Sequence, residues 1–308
     1  MSGTAVEVGA VEVGAKVRAQ SDLRLGNRVF GPEQRVIMAI VNRTPDSFYD
    51  KGATFAEDAA LEAVDHAVVE GADIIDIGGV KAGPGDEVDA AEEIRRTVPF
   101  IAKVRALYPN VVISVDTWRA EVGRAACEAG ADLLNDAWGG FDPALAEVAT
   151  EFQVGLVCTH VGGHPPRTRP RPGVAYDDVM ADILRHTLGL AERAEALGVP
   201  RASILIDPAH DFGKNSRHSL EATRRLDEMT ATGRPVLVSV SNKSFIGETL
   251  DVRAPDRLVG TLATTAICAW QGARVYRVHN VAQTRQVLDM VSSIQGIRPP
   301  LLFVRGAA

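Results

Sequence analysis

Apolar, β-branched runs of strand length recur eight times along this chain, and each ends on a small polar cluster before a segment with helical amphipathic spacing begins. The run at 35–41 gives way to Asn42, 72–77 to Gly78 and Gly79, 111–115 to Asp116 and Thr117, and 131–134 to Asn135 and Asp136. The remaining four are 154–159 before His160, 203–206 before Asp207 and Pro208, 236–240 before Ser241, Asn242 and Lys243, and 274–278 before His279 and Asn280. Near-continuous hydrophobicity suits strands covered on both faces, as in a parallel sheet. Eight strand–helix units predict an α/β fold, a single closed (β/α)8 TIM barrel, whose polar strand ends converge on one mouth. Helices are expected at 57–70, 90–107, 118–129, 143–151, 176–197, 217–231, 255–271 and 281–294.

Upstream of the first barrel strand, residues 22–30 alternate around a Gly26–Asn27 turn and predict a β-hairpin that plugs the barrel bottom. Connections 42–56, 78–89 and 160–175 exceed what the geometry needs. The first two are expected to act as lids or binding loops, with 43–54 and 80–89 poorly ordered without ligand. The Pro- and Arg-rich third is expected to be disordered or partly ordered. A doubled VEVGA at 6–10 and 11–15 carries Glu7 and Glu12, which break any secretory hydrophobic region. Residues 1–20 therefore read as a disordered tail and 21–308 as the barrel domain.

Composition narrows the function. The 308 residues suit one barrel, a fold that commonly runs to about 250 residues or more. A net charge of −7 and a pI of about 5.6 provide no basic stripe, which argues against a nucleic-acid partner. The uncharged stretch 258–273 holds Thr261, Thr264, Thr265 and Gln271 and falls short of the roughly 18 apolar residues of a membrane span. Cys127, Cys158 and Cys268 sit in apolar patterns and read as buried free thiols of a reducing compartment. A soluble cytoplasmic protein is expected. Only six of the 33 basic residues are lysine, so Lys243 at a strand end stands out.

Asp116, Asn135 and Asp207 end the third, fourth and sixth strands. Two carboxylates and an amide at one mouth call for a ligand rich in N–H donors, such as an aminopyrimidinone ring. Helix capping accounts for any one of them but not for Lys243 beside them. Asn42, Arg277 and His279 come from strands one and eight, neighbours in a closed barrel, and Arg277 and His279 share a strand face. Together they suit a diphosphate; the alternative is a surface ion pair. Asp211, Phe212 and Gly213 spell the kinase magnesium motif without its catalytic-loop or glycine-loop partners. Neither GxGxxG nor a Walker loop occurs, and His160, His164, His210 and His218 lack metal-ligand spacing and read as loop residues.

The wording of the segments is similar to one family. IMAIVNRTPDSFYDKG (37–52), GADIIDIGG (71–79), ISVDTWRAEVGRAACEAGADLLND (113–136), LIDPAHDFGK (205–214), SVSNKSFIG (239–247) and YRVHNV (276–281) resemble dihydropteroate synthase, in order and across almost the whole barrel. That family condenses 6-hydroxymethyl-dihydropterin diphosphate with p-aminobenzoate, releasing pyrophosphate, and is the sulfonamide target. The resemblance implies that Asp116, Asn135, Asp207 and Lys243 hold the pterin, with Phe212 and Ser244 completing the substrate-binding set. It implies that Asn42, Arg277 and His279 hold the diphosphate, Asn42 through Mg²⁺, and that Lys243, Arg277 and His279 are the catalytic residues. It further implies a homodimer, a pterin or pterin diphosphate as partner, and sulfonamide or sulfone inhibitors. Carboxylates at a ring that becomes cationic and cations at a departing diphosphate are what such chemistry needs.

The departures gather at the mouth. Where the family's second loop reads Glu-Ser-Thr-Arg-Pro-Gly, this chain has Val80, Lys81, Ala82, Gly83, Pro84 and Gly85, so the threonine and arginine that meet the aminobenzoate and the substrate anion are gone. Losing a charge-assisted contact costs about 1.5–3 kcal/mol, and Lys81 lacks arginine's fork. Asp211 replaces a glycine, introducing an acid near the ligand. Thr159, His160 and Val161 stand for Met-His-Met, Asn242 for the arginine before the lysine, and Asn280 for an aspartate after the histidine. Three readings follow. The first is a divergent second paralogue with the pterin and diphosphate pocket partly retained and synthase activity very low or absent. The second is a working synthase, and the third a non-catalytic pterin-binding or partner-stabilising protein. A methyltetrahydrofolate methyltransferase would need its corrinoid motif on another chain.

Overall fold

A computed structural model describes residues 21–44, 56–81, 83, 85–163, 175–302 and 304. Eight parallel strands line up as β3 (Val36–Asn42), β4 (Ile74–Gly78), β5 (Val112–Asp116), β6 (Leu133–Asp136), β7 (Gly155–Thr159), β8 (Ile204–Asp207), β9 (Leu237–Val238) and β10 (Val275–Val278), preceded by the antiparallel hairpin β1 (Leu23–Leu25) and β2 (Arg28–Phe30). Sequential strands pair along β3 to β8, and β10 joins β3 to β9. The Ile206–Val236 bridge closes the ring, with the Ile206 N–H on the Pro235 carbonyl at 3.0 Å. The predicted TIM barrel is therefore present.

Strand alternation sorts the side chains into two cores. Ile75, Ile77, Ile113, Val115, Leu134 and Cys158 face outward against the helices. Val36, Met38, Ile74, Val112, Leu205 and Val275 face the lumen, where Leu23, Leu25 and Phe30 of the hairpin stack on them. The hairpin plugs the barrel bottom as its sequence predicts. Arg274, fully buried there, donates to the carbonyls of Gln34, Ser21, Phe30 and Gly31 and so ties the plug to the barrel.

Around the strands run α1 (Glu57–Val69), α2 (Ala90–Leu107), α3 (Ala120–Glu128), α4 (Leu145–Phe152), α5 (Val179–Leu197), α6 (Ser216–Arg224), α7 (Leu226–Thr230), α8 (Ser244–Leu250), α9 (Leu258–Trp270) and α10 (Val281–Ile294). Two features differ from the sequence reading. The helix expected at 217–231 is broken at Arg225, which leaves helical geometry (φ −105°, ψ 21°) while its guanidinium bonds Asp178, Glu221 and Glu228. Helix α8 was not anticipated, because its seven residues follow the strand-end cluster too closely to show a helical period. The three cysteines are buried and unpaired. Among the described residues no helix is long and apolar enough to cross a membrane.

Candidate ligand-binding site at the barrel mouth

The floor of the mouth is a charged network inside the lumen. Asp76 on β4 is fully buried and accepts hydrogen bonds from Ser114 Oγ at 2.6 Å, from Asn135 Nδ2 at 3.3 Å and from Arg277 Nε at 2.6 Å. Arg277 also donates to Asp116 Oδ2 at 2.7 Å. Arg277 thus joins the two groups that the sequence kept apart, since its guanidinium bonds Asp116 of the set expected to hold the ring, together with Asp76. Burial raises the pKa of Asp116, and the Arg277 charge partly offsets that rise. Asp76 was missed in the sequence. Its signal was an acid inside the apolar run 72–77, which also holds Asp73 near its start.

Asp207 and Lys243 form the opposite side. Asp207 takes the Ala209 N–H at 2.7 Å; burial raises its pKa against the lowering pull of the Lys243 and Lys214 charges. Lys243 donates to the His210 carbonyl and lies 4.6 Å over the Phe212 ring, with burial lowering its pKa to about 8. The supporting loop has left-handed backbone at Ala209, Asp211 and Gly213. Lys214, 3% exposed, clamps it by donating to the carbonyls of His160 (3.1 Å), Ala209 (3.2 Å) and Phe212 (3.0 Å) and by contacting His160 Nδ1 at 2.7 Å. His160 Nε2 meets Asp182 at 2.8 Å, and His210 meets Thr223 at 3.0 Å. These two histidines are buried anchors rather than free loop residues.

At the corner where β3 and β10 end, Asn42 pairs with Gly78 of β4, which pairs in turn with Asp116 of β5. His279 Nδ1 lies 2.9 Å from Ser241 Oγ; burial, then the charges of Arg277 and Lys243, lower its pKa to about 3, so the ring is neutral. Ser244 opens α8. Its N–H reaches Asp211 Oδ2 at 2.5 Å, and the Phe245 N–H reaches both Asp211 oxygens at 3.3 Å. The Asp211 carboxylate that the sequence set near the ligand is spent on the first backbone donors of α8.

Trp118, Trp138 and Val161 form an apolar cluster on the rim, with Val80 and Phe212 packed against it. Trp138 meets Trp118 and Phe212 edge-on at 6.1 and 5.3 Å, and Arg119 covers Trp118 at 4.3 Å. Arg119 also pairs with the buried Glu93 and holds the Val88 carbonyl at 2.7 Å, which pins the far end of the second loop. Gly83, in that loop, has φ +105° and open space where a side chain would go. The expectations for 45–55, Ala82, Pro84, 164–174 and the tail 1–20 lie outside the described residues. Among the described residues no group of three His, Cys, Asp or Glu is arranged to hold a metal.

The structure is thus a (β/α)8 barrel that gathers acids, an amide and a lysine at one mouth. The chain belongs to the dihydropteroate synthase family: residues 38–279 match the family described as Pterin binding enzyme. It is 58% identical over 287 residues, 92% of this chain and 99% of the relative, to the protein named inactive dihydropteroate synthase 2 of Mycobacterium leprae. It is 37% identical to dihydropteroate synthase of Escherichia coli, covering 83% of this chain and 90% of that one. The Yersinia pestis dihydropteroate synthase solved with a sulfonamide drug superposes with a TM-score of 0.84 at 33% identity, covering 89% of this chain and 99% of that one.

Proposed function

We propose that this chain is a divergent paralogue, one domain over 21–308, that retains a pterin and diphosphate pocket and condenses p-aminobenzoate very slowly or not at all. One observation carries the reading: the Asp211 carboxylate occupies the opening backbone N–H groups of α8 at the mouth. Such donors are a ready seat for anions. An acidic co-substrate would have to compete with an internal carboxylate there and would find no arginine at Gly83. On the ring side Asp116 and Asn135 meet in the Asp76–Arg277 network, Asp207 and Lys243 stand across from them, and Phe212 adds an aromatic face, which supports the reading. The name of the M. leprae relative agrees with this reading.

The residues present fit Mg²⁺ only through a shared shell. Asn42 would supply one amide oxygen, and the diphosphate and water would supply the rest, as Mg²⁺ commonly requires. When bound, the ion would neutralise charge on the leaving diphosphate. Arg277 and the neutral His279 would flank it, and Lys243 would orient the ring. We infer a cytoplasmic homodimer that binds a pterin or its diphosphate, with sulfonamides or sulfones reaching the same mouth.

Pyrophosphate release with p-aminobenzoate, measured on the wild type and on an Ala82→Thr/Gly83→Arg/Asp211→Gly variant, tests the reading. Baseline release by the wild type and a measurable gain in the variant are expected. The arginine must accept the left-handed backbone of Gly83, a strain of about 1–2 kcal/mol, whereas Asp211→Gly relieves one at φ +69°. Robust wild-type turnover and full rescue of a synthase-deficient strain would sink it in favour of an ordinary synthase.

A further inference from the structure

Thr159, the last residue of β7, is 2% exposed, and its hydroxyl is buried without a hydrogen-bond partner among the described residues. Thr44, which borders 45–55, shares this state, but most other buried threonines among the described residues are satisfied. Thr97, Thr187, Thr223, Thr265 and Thr284 each donate to the carbonyl four residues earlier, Thr117 takes the Arg119 N–H, and Thr261 takes the Asn242 N–H. An orphaned buried hydroxyl is destabilising, while a valine of the same shape would serve the strand equally well.

The direction of the side chain follows from alternation. Val157 belongs to the lumen core and Cys158 to the outer core, so Thr159 faces the lumen again. It pairs in register with Asp207, and neighbouring strands lie about 4.8 Å apart. A ring edge whose N–H reaches Asp207 therefore runs past the Thr159 hydroxyl. Around it Asp116 and Asp207 are acceptors, Lys243 is a charged donor and the Asn135 amide is engaged with Asp76, so what Thr159 adds is an uncharged donor. Where the resembling sequences carry a methionine, this chain supplies that O–H.

We infer that Thr159 is a specificity-determining residue, whose hydroxyl donates to a ring carbonyl adjacent to the N–H that Asp207 accepts. The inference rests on the reading of the mouth as a pterin pocket. It is tested by calorimetry with two probes, 6-hydroxymethylpterin and its 2,4-diamino analogue, in which an amino group replaces the carbonyl, on the full chain and its Thr159→Val variant. Thr159→Val is expected to weaken the pterin about ten-fold, the loss of one hydrogen bond, and the diamino ring less than about two-fold. In the absence of ligand the variant should melt at or above the wild-type temperature, because it removes an orphan. A lower melting temperature would show that the hydroxyl is structural and would overturn the inference. So would equal effects on the two probes. Wild-type protein that binds neither probe overturns it together with the pterin reading, whereas binding that Thr159→Val leaves untouched overturns it alone.

Discussion

At the scale of single residues, the site is governed by what a buried charge can find. Asp76 has three donors around it, and one of them, Arg277, depends on Asp76 and Asp116 for its own compensation. Removing one partner of a buried pair leaves the other uncompensated, which costs about 3–5 kcal/mol. Asp76→Ala should therefore lower unfolding stability by that amount in urea titration, even though Asp76 is out of reach of solvent. Loss of under about 1 kcal/mol would mean that Arg277 finds Asp116 sufficient. Asp116, Asn135 and Arg277 were legible in the sequence because they end strands or interrupt an apolar run. Asp76 obeys the second rule equally but was hidden by the Gly78–Gly79 pair, which drew attention to the strand end. Thr159 stood out in the sequence only as a replacement for the family's methionine, and its unpaired hydroxyl is visible only in the structure.

At the scale of elements, the barrel was readable because eight buried strands cannot avoid near-continuous hydrophobicity, and the plug was readable from alternation around a turn. Helix α8 and the loop before α6 were not. Their shape comes from side-chain clamps on carbonyls, namely Lys214 on Ala209 and Phe212 and Lys243 on His210, and such clamps leave no period in the sequence. The Lys214 clamp includes His160, whose pKa is lowered to about 3 by burial, then by the Lys214 charge, against the raising effect of Asp182. The folded chain therefore resists protonating His160 while the unfolded chain protonates it near 6.5. The associated stability is present above pH 6.5 and is lost as pH falls toward about 3. Against a His160→Gln variant, which keeps hydrogen-bonding atoms but does not titrate, the wild type should lose up to about 1.4 kcal/mol per pH unit across that window. Parallel stability curves for the two proteins would show that His160 is not the group that titrates.

At the scale of the whole molecule, one face is unlike the rest. The exposed positions of α9 are Val259, Ala263, Ile267 and Trp270, spaced as one helical stripe, and α9 carries no charged residue. Alongside it α10 exposes Met290 and Ile294, and Gln295 donates to the Trp270 carbonyl at 3.3 Å, which brings the ends of the two helices together. Contiguous apolar patches of this kind mark interaction surfaces on soluble proteins. The face lies on the flank of the barrel, away from the mouth, so two copies meeting there would leave both mouths open. This supports the proposed homodimer, for which a stable interface covers about 800 Å² on each partner. An Ile267→Glu/Trp270→Glu variant puts two like charges into a self-complementary contact, where each would face its own copy. Sedimentation at micromolar concentration is expected to give a dimer for the wild type and a monomer for the variant, with circular dichroism unchanged and pterin binding within about two-fold, since a dimer contact is lost without touching the site. A wild type that sediments as a monomer, or a variant that remains a dimer, would leave this apolar stripe without the partner proposed for it.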